Sequence, residues 1–409
     1  MVDQLIIIGN GFDMNCSLKS GYTDWYKSRF GGGGYFRRLL NQLDQHYVGR
    51  STDSRPAIFY ESIEIVDIAA RGFVAPKSLL KVTAWDFLIL RAKKSSGTWK
   101  SVEEFIETTL QNQDVLKFHD DDWLSLEKYV YQVNHYPEVK SDVAADASID
   151  PILRLLALRY PQYMLSADYP NNDYIKMSLE PQDLKESLFK VLLDELKIFE
   201  KEFSQYLKSQ TIKNKSYRNE ALNLLSRIAG GDNIANDSIA ILSFNYTNPF
   251  SEECKLFNVH GTLEDDNIIF GIDKQDTDEE EHARFDKVKK ILPFTKTYRK
   301  LFNPQTAVLA NCRDVKTVKF YGHSLGRMDY SYFLSIFDSF SVYDGELSLS
   351  FYYSIYDKEK RINIMNDRFS EVVNLIDKYG STFPNISQGK NLMHRLMLEG
   401  RLNIIDVGG

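Results

Sequence analysis

Four short polar stretches of this 409-residue chain could carry chemistry, and each follows directly on an apolar run that reads as a β-strand. Gly9-Asn10-Gly11-Phe12-Asp13 comes after Leu5-Ile6-Ile7-Ile8. Glycines at the C-terminal end of such a strand let the backbone approach a ligand, and the helix that follows can turn its first N–H groups toward a phosphate. The stretch lacks the third glycine of a GxGxxG fingerprint, so taken alone it is equally a tight strand-to-helix turn. Ser243-Phe244-Asn245-Tyr246-Thr247 and Asn258-Val259-His260-Gly261 supply a carboxamide and an imidazole that could converge on one ligand in the same crevice. Either residue alone would read as a turn asparagine or a hydrogen-bonded histidine.

The last stretch, Tyr321-Gly322-His323-Ser324-Leu325-Gly326-Arg327-Met328-Asp329, permits two readings. Gly322 to Gly326 matches GxSxG literally, which would make Ser324 the nucleophile of an α/β-hydrolase. That fold orders its triad as Ser, then Asp or Glu, then His, and the only histidine after Ser324 is His394, in a stretch that reads as helix. The alternative is that the Gly-His-Ser loop closes over a bound nucleotide while Asp329 caps the next helix.

The elements that must position these residues are unevenly distributed. Residues 5–8 form a short, β-branched run of the kind buried on both faces of a parallel sheet. Strands then return in quick succession at 238–244, 256–259, 268–270, 315–321 and 347–353, with a last one at 402–407. Helical patterns at 332–340 and 362–378 supply crossovers, so an open, mainly parallel, Rossmann-like α/β sheet is the natural assembly. The middle is mostly helical, as in Val102-Phe105-Ile106-Leu110, with Ser101 and Glu104 as a capping box, and in Leu184-Leu188-Val191-Leu192-Leu196-Phe199. The four-glycine run at 31–34 marks either the departure from the core or a plain flexible loop. The expected division is a core of residues 1–30 and 236–409 with a helical insertion at 31–235. Aromatic residues of the insertion, such as Trp85, Phe87, Trp99, Trp123, Tyr129 and Tyr131, read as core packing rather than a base-stacking surface. The acidic run at 276–281 reads as a solvated loop.

Composition narrows the classes. At 43% hydrophobic and 26% charged residues the chain is ordinary for a globular protein, and its net charge of −7 argues against a surface devoted to nucleic acid. Cys16, Cys254 and Cys312 form no CxxC pair and no Cys/His ligand spacing, so no metal site or disulfide framework is expected and a reducing cytoplasm is the simplest home. No apolar stretch approaches the roughly 18 to 20 residues needed to cross a bilayer.

Taken together, Gly9 to Asp13, Phe244-Asn245-Tyr246-Thr247, Val259-His260-Gly261, Phe270-Gly271-Ile272-Asp273 and Tyr321 to Gly326 with Asp329 resemble the AbiH-type bacteriophage abortive-infection family. The resemblance runs from Leu5 to about Val407 and implies a role in bacterial anti-phage defence, with a phage-derived trigger of unknown nature. The same loops are distantly similar to sirtuin-like domains of bacterial defence systems, in which an Asn and a His cleave NAD. That likeness implies a sirtuin-like core for which NAD is a substrate rather than a cofactor, without a metal. Carried over, Asn245 would hold a water or the ribose near the anomeric carbon and His260 would be the general base. Gly9, Asn10, Gly11, Phe12 and Asp13, with Phe244, Gly322, His323, Ser324 and Asp329, would line the nucleotide. The first loop departs from the sirtuin Gly-Ala-Gly-x-Ser pattern, and the zinc cysteines of protein deacetylases are missing, which disfavours deacetylation. A non-catalytic nucleotide-binding sensor could keep the same loops, and homo-oligomerisation is left open.

Overall fold

A computed structural model describes residues 2–30, 83–93, 102–111, 156, 181–231, 238–250, 254–273, 289–301, 307–355 and 357–408. The glycine run at 31–34, Ser101, the acidic run at 276–281 and the side chains of Phe87, Trp99, Trp123, Tyr129 and Tyr131 lie outside them. The chain divides into two compact units, one of Met1–Gly21, Ser204–Asp278 and Phe294–Gly409, the other of Tyr22–Phe203 and Glu279–Pro293.

The first unit is built on six strands: β1 (Gln4–Ile8), β2 (Ile239–Ser243), β3 (Lys255–Asn258), β4 (Thr317–Tyr321), β5 (Ser348–Tyr353) and β6 (Leu402–Asp406). They pair in the order β3-β2-β1-β4-β5-β6, and every pairing is parallel. This is the Rossmann order, whose direction of winding reverses between β1 and β4 and leaves a crevice outside the C-terminal ends of the strands. The described helices are, in chain order, α1 (Asn10–Asn15), α2 (Tyr22–Phe30), α3 (Ala84–Lys93), α4 (Val102–Gln111), α5 (Pro181–Lys213), α6 (Tyr217–Ala229), α7 (Lys296–Leu301), α8 (Tyr330–Ser339), α9 (Arg361–Gly380) and α10 (Ile386–Leu398).

Alternation along the strands sorts the core into two layers. Leu5, Ile7, Ala240, Leu242, Val318 and Phe320 face Phe333, Ile336 and Phe337 of α8, Val372, Leu375, Ile376 and Tyr379 of α9, and Leu392 and Leu396 of α10. Ile6, Ile8, Ile239, Ile241 and Tyr321 face Tyr217, Ala221, Leu224, Leu225 and Ile228 of α6. Parallel neighbours β1 and β2 require a crossover that returns over the sheet, and α6 is the helix that covers that face. Its residues therefore belong with the sheet, and this unit resumes at Ser204 instead of at the expected residue 236. Lys319 would break the apolar face of β4, but its Nζ donates to the carbonyls of Ile228 and Ala229 at 2.9 Å each, capping the C-terminus of α6.

Residues 268–270, expected as a strand, join no sheet. All three are buried, but their backbone is satisfied locally: Ile269 N–H donates to the His260 carbonyl, and the Phe270 carbonyl accepts from Arg299. An apolar triplet can thus fill a loop core when loop backbone and side chains together take over the ladder's hydrogen bonds.

In the second unit the helical readings at 102–110 and 184–199 correspond to α4 and to the first part of α5. Thr83 and Asp86 form a reciprocal cap at the start of α3, and both Asp86 oxygens are held by Arg29 at 2.6 and 2.7 Å. Trp85 is fully buried, with Nε1 donating to the Leu192 carbonyl, a core role.

Candidate functional site

The register of the sheet places the polar loops side by side. Ile8 lies opposite Ser243 on one side and Tyr321 on the other, and Ser243 lies opposite Asn258. The residues that follow this row, Gly9, Phe244 and Asn245, Val259 and His260, and Gly322 and His323, therefore emerge together at the reversal point between β1 and β4.

The first loop packs against the last. A Cβ on Gly9 would fall 2.7 Å from His323 Cα, one on Gly11 would fall 2.8 Å from Gly322, and Gly322 itself, at φ +69, has no room for a Cβ beside Phe12 N. These glycines serve the close approach of two protein backbones. Gly11 N–H donates to the Gly322 carbonyl at 2.7 Å and Phe12 N–H to the Gly9 carbonyl at 2.8 Å. Phe12 is a core residue, its ring set edge-on to Phe250 and Tyr321. Asn10 is exposed, and its Oδ1 accepts from the Ser20 hydroxyl at 2.6 Å.

Asp13 is buried beneath this loop and bound to hydroxyls: Tyr217 donates to Oδ1 at 2.8 Å and Thr247 to Oδ2 at 2.7 Å. Burial pushes its carboxyl up to about 6, because neutral donors only partly offset the loss of water. No local pattern marks Tyr217, on α6, as part of this cluster.

A second cluster surrounds Asp329. Lys296 Nζ donates to Asp329 Oδ1 at 2.6 Å, His260 Nε2 stands 3.3 Å from Oδ1, and His323 Nε2 stands 3.4 Å from Oδ2. Burial alone would raise this carboxyl, but the Lys296 ammonium and the two imidazoles outweigh it and hold Asp329 well below the usual carboxylate range. Asp329 occupies the N-cap position of α8, yet its side chain makes no capping hydrogen bond, which corrects the expectation that it caps that helix. Its oxygens are turned toward the three nitrogens instead. The sequence reading passed over Lys296. It is the first residue of α7, and a lysine at a helix N-terminus opposes the dipole, which is the one local sign that something else holds it there.

His323 Nδ1 accepts the Leu325 N–H at 2.9 Å, so its proton sits on Nε2, facing Asp329. Phe244 wedges between the two imidazoles, with ring centroids 5.3 Å from His260 and 4.6 Å from His323. Burial, and after it the Lys296 charge, push His260 down to about 4, so the ring is neutral near pH 7. Asn245 is 4% exposed and its carboxamide lies near enough to Asp13 to help hold that carboxyl down, but neither its Oδ1 nor its Nδ2 makes an aligned hydrogen bond with another described residue; His260 Nε2 likewise lacks an aligned partner. Buried polar groups are nearly always paired, and exceptions concentrate where water or a ligand binds.

Ser324 is exposed, and no described hydrogen bond joins it to a histidine. The Leu325 amide, which would form an oxyanion hole in a nucleophile elbow, is taken by His323, and the positive φ of the turn belongs to Leu325. His394 lies on α10, as its sequence suggested, and is exposed.

With the loops and their sheet in view, the comparison with known families is decisive: the family described as bacteriophage abortive infection AbiH matches residues 5–351. The chain is a member of the AbiH family. The match covers β1 to most of β5, and with them all four polar loops. It supports a role in bacteriophage abortive infection. No curated protein and no solved structure shows significant similarity to this AbiH chain. Among the described residues no helix is long and apolar enough to cross a membrane, and no group of three His, Cys, Asp or Glu could hold a metal ion.

Proposed function

We propose that this AbiH protein acts in the bacterial cytoplasm during phage infection by binding NAD, or a related dinucleotide, at the crevice between β1 and β4 and hydrolysing its N-glycosidic bond in a sirtuin-like manner. The observation that carries this reading is the meeting of the polar loops at the reversal point of a Rossmann sheet, where the buried Asn245 carboxamide makes no aligned hydrogen bond and His260 is neutral. Asn245 would hold the ribose or the attacking water through one donor and one acceptor. His260 would take the water proton as its oxygen bonds to the anomeric carbon, and the leaving base would depart with the bonding electron pair. Asp329 stands where it can steady the imidazolium that results. The transition state is oxocarbenium-like, so positioning supplies most of the rate.

A second reading, a nucleotide sensor without turnover, is favoured by the state of the first loop. The Gly11 amide and both Asp13 oxygens are already engaged by protein groups, so a ligand there would have to displace them.

The test is NAD loss and ADP-ribose formation in infected cells that express the wild-type chain, Asn245→Ala or His260→Ala. NAD loss confined to the wild type supports hydrolysis. Unchanged protection and turnover in both variants removes it, and protection at constant NAD, with ADP-ribose bound by the purified protein, selects the sensor.

A further inference from the structure

The Phe270-Gly271-Ile272-Asp273 stretch has no part in the chemistry proposed above, yet three of its residues bear on Asp329 or on its lysine. Asp273 Oδ2 accepts the Ser331 N–H at 3.1 Å, and both its oxygens lie 2.7 Å from the donating Ser331 hydroxyl. Ser331 is the second residue of α8, and an aspartate at the N-cap position ordinarily accepts from the second or third helical N–H. Asp329 holds that N-cap position with φ −125 and ψ 7, so Ser331 N–H is the donor its carboxylate would otherwise take.

We propose that Asp273 is a positioning residue: by capping α8 from a separate loop, it leaves the Asp329 carboxylate between His260, His323 and Lys296. The same stretch also aligns the lysine. Ile272 pairs with Thr295, the Lys296 N–H donates to the Ile272 carbonyl at 3.0 Å, and the Lys296 stem passes Gly271, where a Cβ would fall 2.8 Å from Lys296 Cγ. One short loop therefore removes the competing use of Asp329 and delivers its counter-charge. A carboxylate that gave Oδ2 back to the helix would lose His323 and turn from its set between the two imidazoles, even while Oδ1 kept the lysine.

The inference rests on the proposed hydrolysis only for its importance to activity, and its test reads geometry instead. In the full chain, hydrogen exchange at the Ser331 amide and crystal structures are compared for the wild type, Asp273→Ala, Asp273→Asn and Asp273→Ala/Asp329→Ala. In Asp273→Ala, Asp329 is expected to keep Lys296 on Oδ1 but turn Oδ2 from His323 onto the Ser331 N–H, leaving its place between the histidines, so that amide stays protected. In the double variant its exchange rises about fivefold, the equivalent of one lost cap. Asp273→Asn keeps an acceptor for Ser331 and is expected to hold Asp329 in its wild-type place. The proposal is overturned if Asp329 stays between the histidines in Asp273→Ala, or if Asp273→Asn displaces it; neither result depends on whether NAD is the substrate.

Discussion

Asp13 and Asp329 are both buried at the C-terminal end of one sheet, yet hydroxyls surround the first and a lysine and two histidines surround the second. Neutral donors leave most of the cost of burying a charge uncompensated, so Asp13 titrates near 6 and behaves as a buried acid tying α1 to α6 and to the loop after β2. An ammonium at 2.6 Å reverses the balance, so Asp329 stays ionised and becomes the local centre of negative charge. Burial by itself therefore says little about a carboxylate's state; the charge of its nearest partner decides it.

The contrast breaks most sharply at the lysine. Lys296→Met should lower stability by about 3–5 kcal/mol in denaturant titrations, because it strands Asp329 as an unpaired buried charge. Lys296→Met/Asp329→Asn should regain much of that loss. A single variant as stable as the wild type would mean that the lysine does not hold Asp329 ionised.

Next in size are two opposite pH dependences. Folded Asp13 keeps its proton up to about 6, whereas its ordinary value is 3.8, so this group stabilises the fold below that window and loses its contribution as pH rises through it. Folded His260 stays neutral down to about 4 against an ordinary 6.5, so its contribution is lost as pH falls. Each shift of about two units corresponds to roughly 3 kcal/mol, and in the wild type the two slopes oppose each other. Asp13→Asn should leave stability rising from pH 4 to 6, and His260→Gln should leave it falling over the same range. Melts that give both variants the same slope would contradict the assignment.

Smaller effects are expected at Thr247 and Ser324. Thr247→Val removes one donor to Asp13, which should cost about 1–2 kcal/mol and raise that carboxyl further, measurable by melts at pH 5 and 7. Smallest is Ser324→Ala, at an exposed position outside both clusters, where a change within about 0.5 kcal/mol is expected. A fluorophosphonate probe should leave Ser324 unlabelled, and labelling there would restore the serine hydrolase.

The sheet was largely legible in the chain because a strand covered on both faces must be apolar throughout: residues 5–8 cover β1 except Gln4, 238–244 contain β2, and the runs at 315–321 and 347–353 contain β4 and β5. The four loops after strands could be picked out for a related reason, since polar residues that directly follow apolar runs must gather at one edge of a parallel sheet. Local pattern had no access to the partners. Tyr217 meets Asp13 across 204 residues, and Lys296 meets Asp329 across 33. Asp329 has the sequence context of a helix cap, but distant groups, Lys296 and the two histidines, take its oxygens while Asp273 takes the Ser331 N–H. The apolar triplet at 268–270 has the composition of a strand, but its backbone bonds to His260, Tyr246 and Arg299 instead of to a sheet. Sequence determined which segments are buried and where polarity returns, because burial periodicity is local. Tertiary structure decided the charge of each buried group, because that depends on which distant side chain reaches it first.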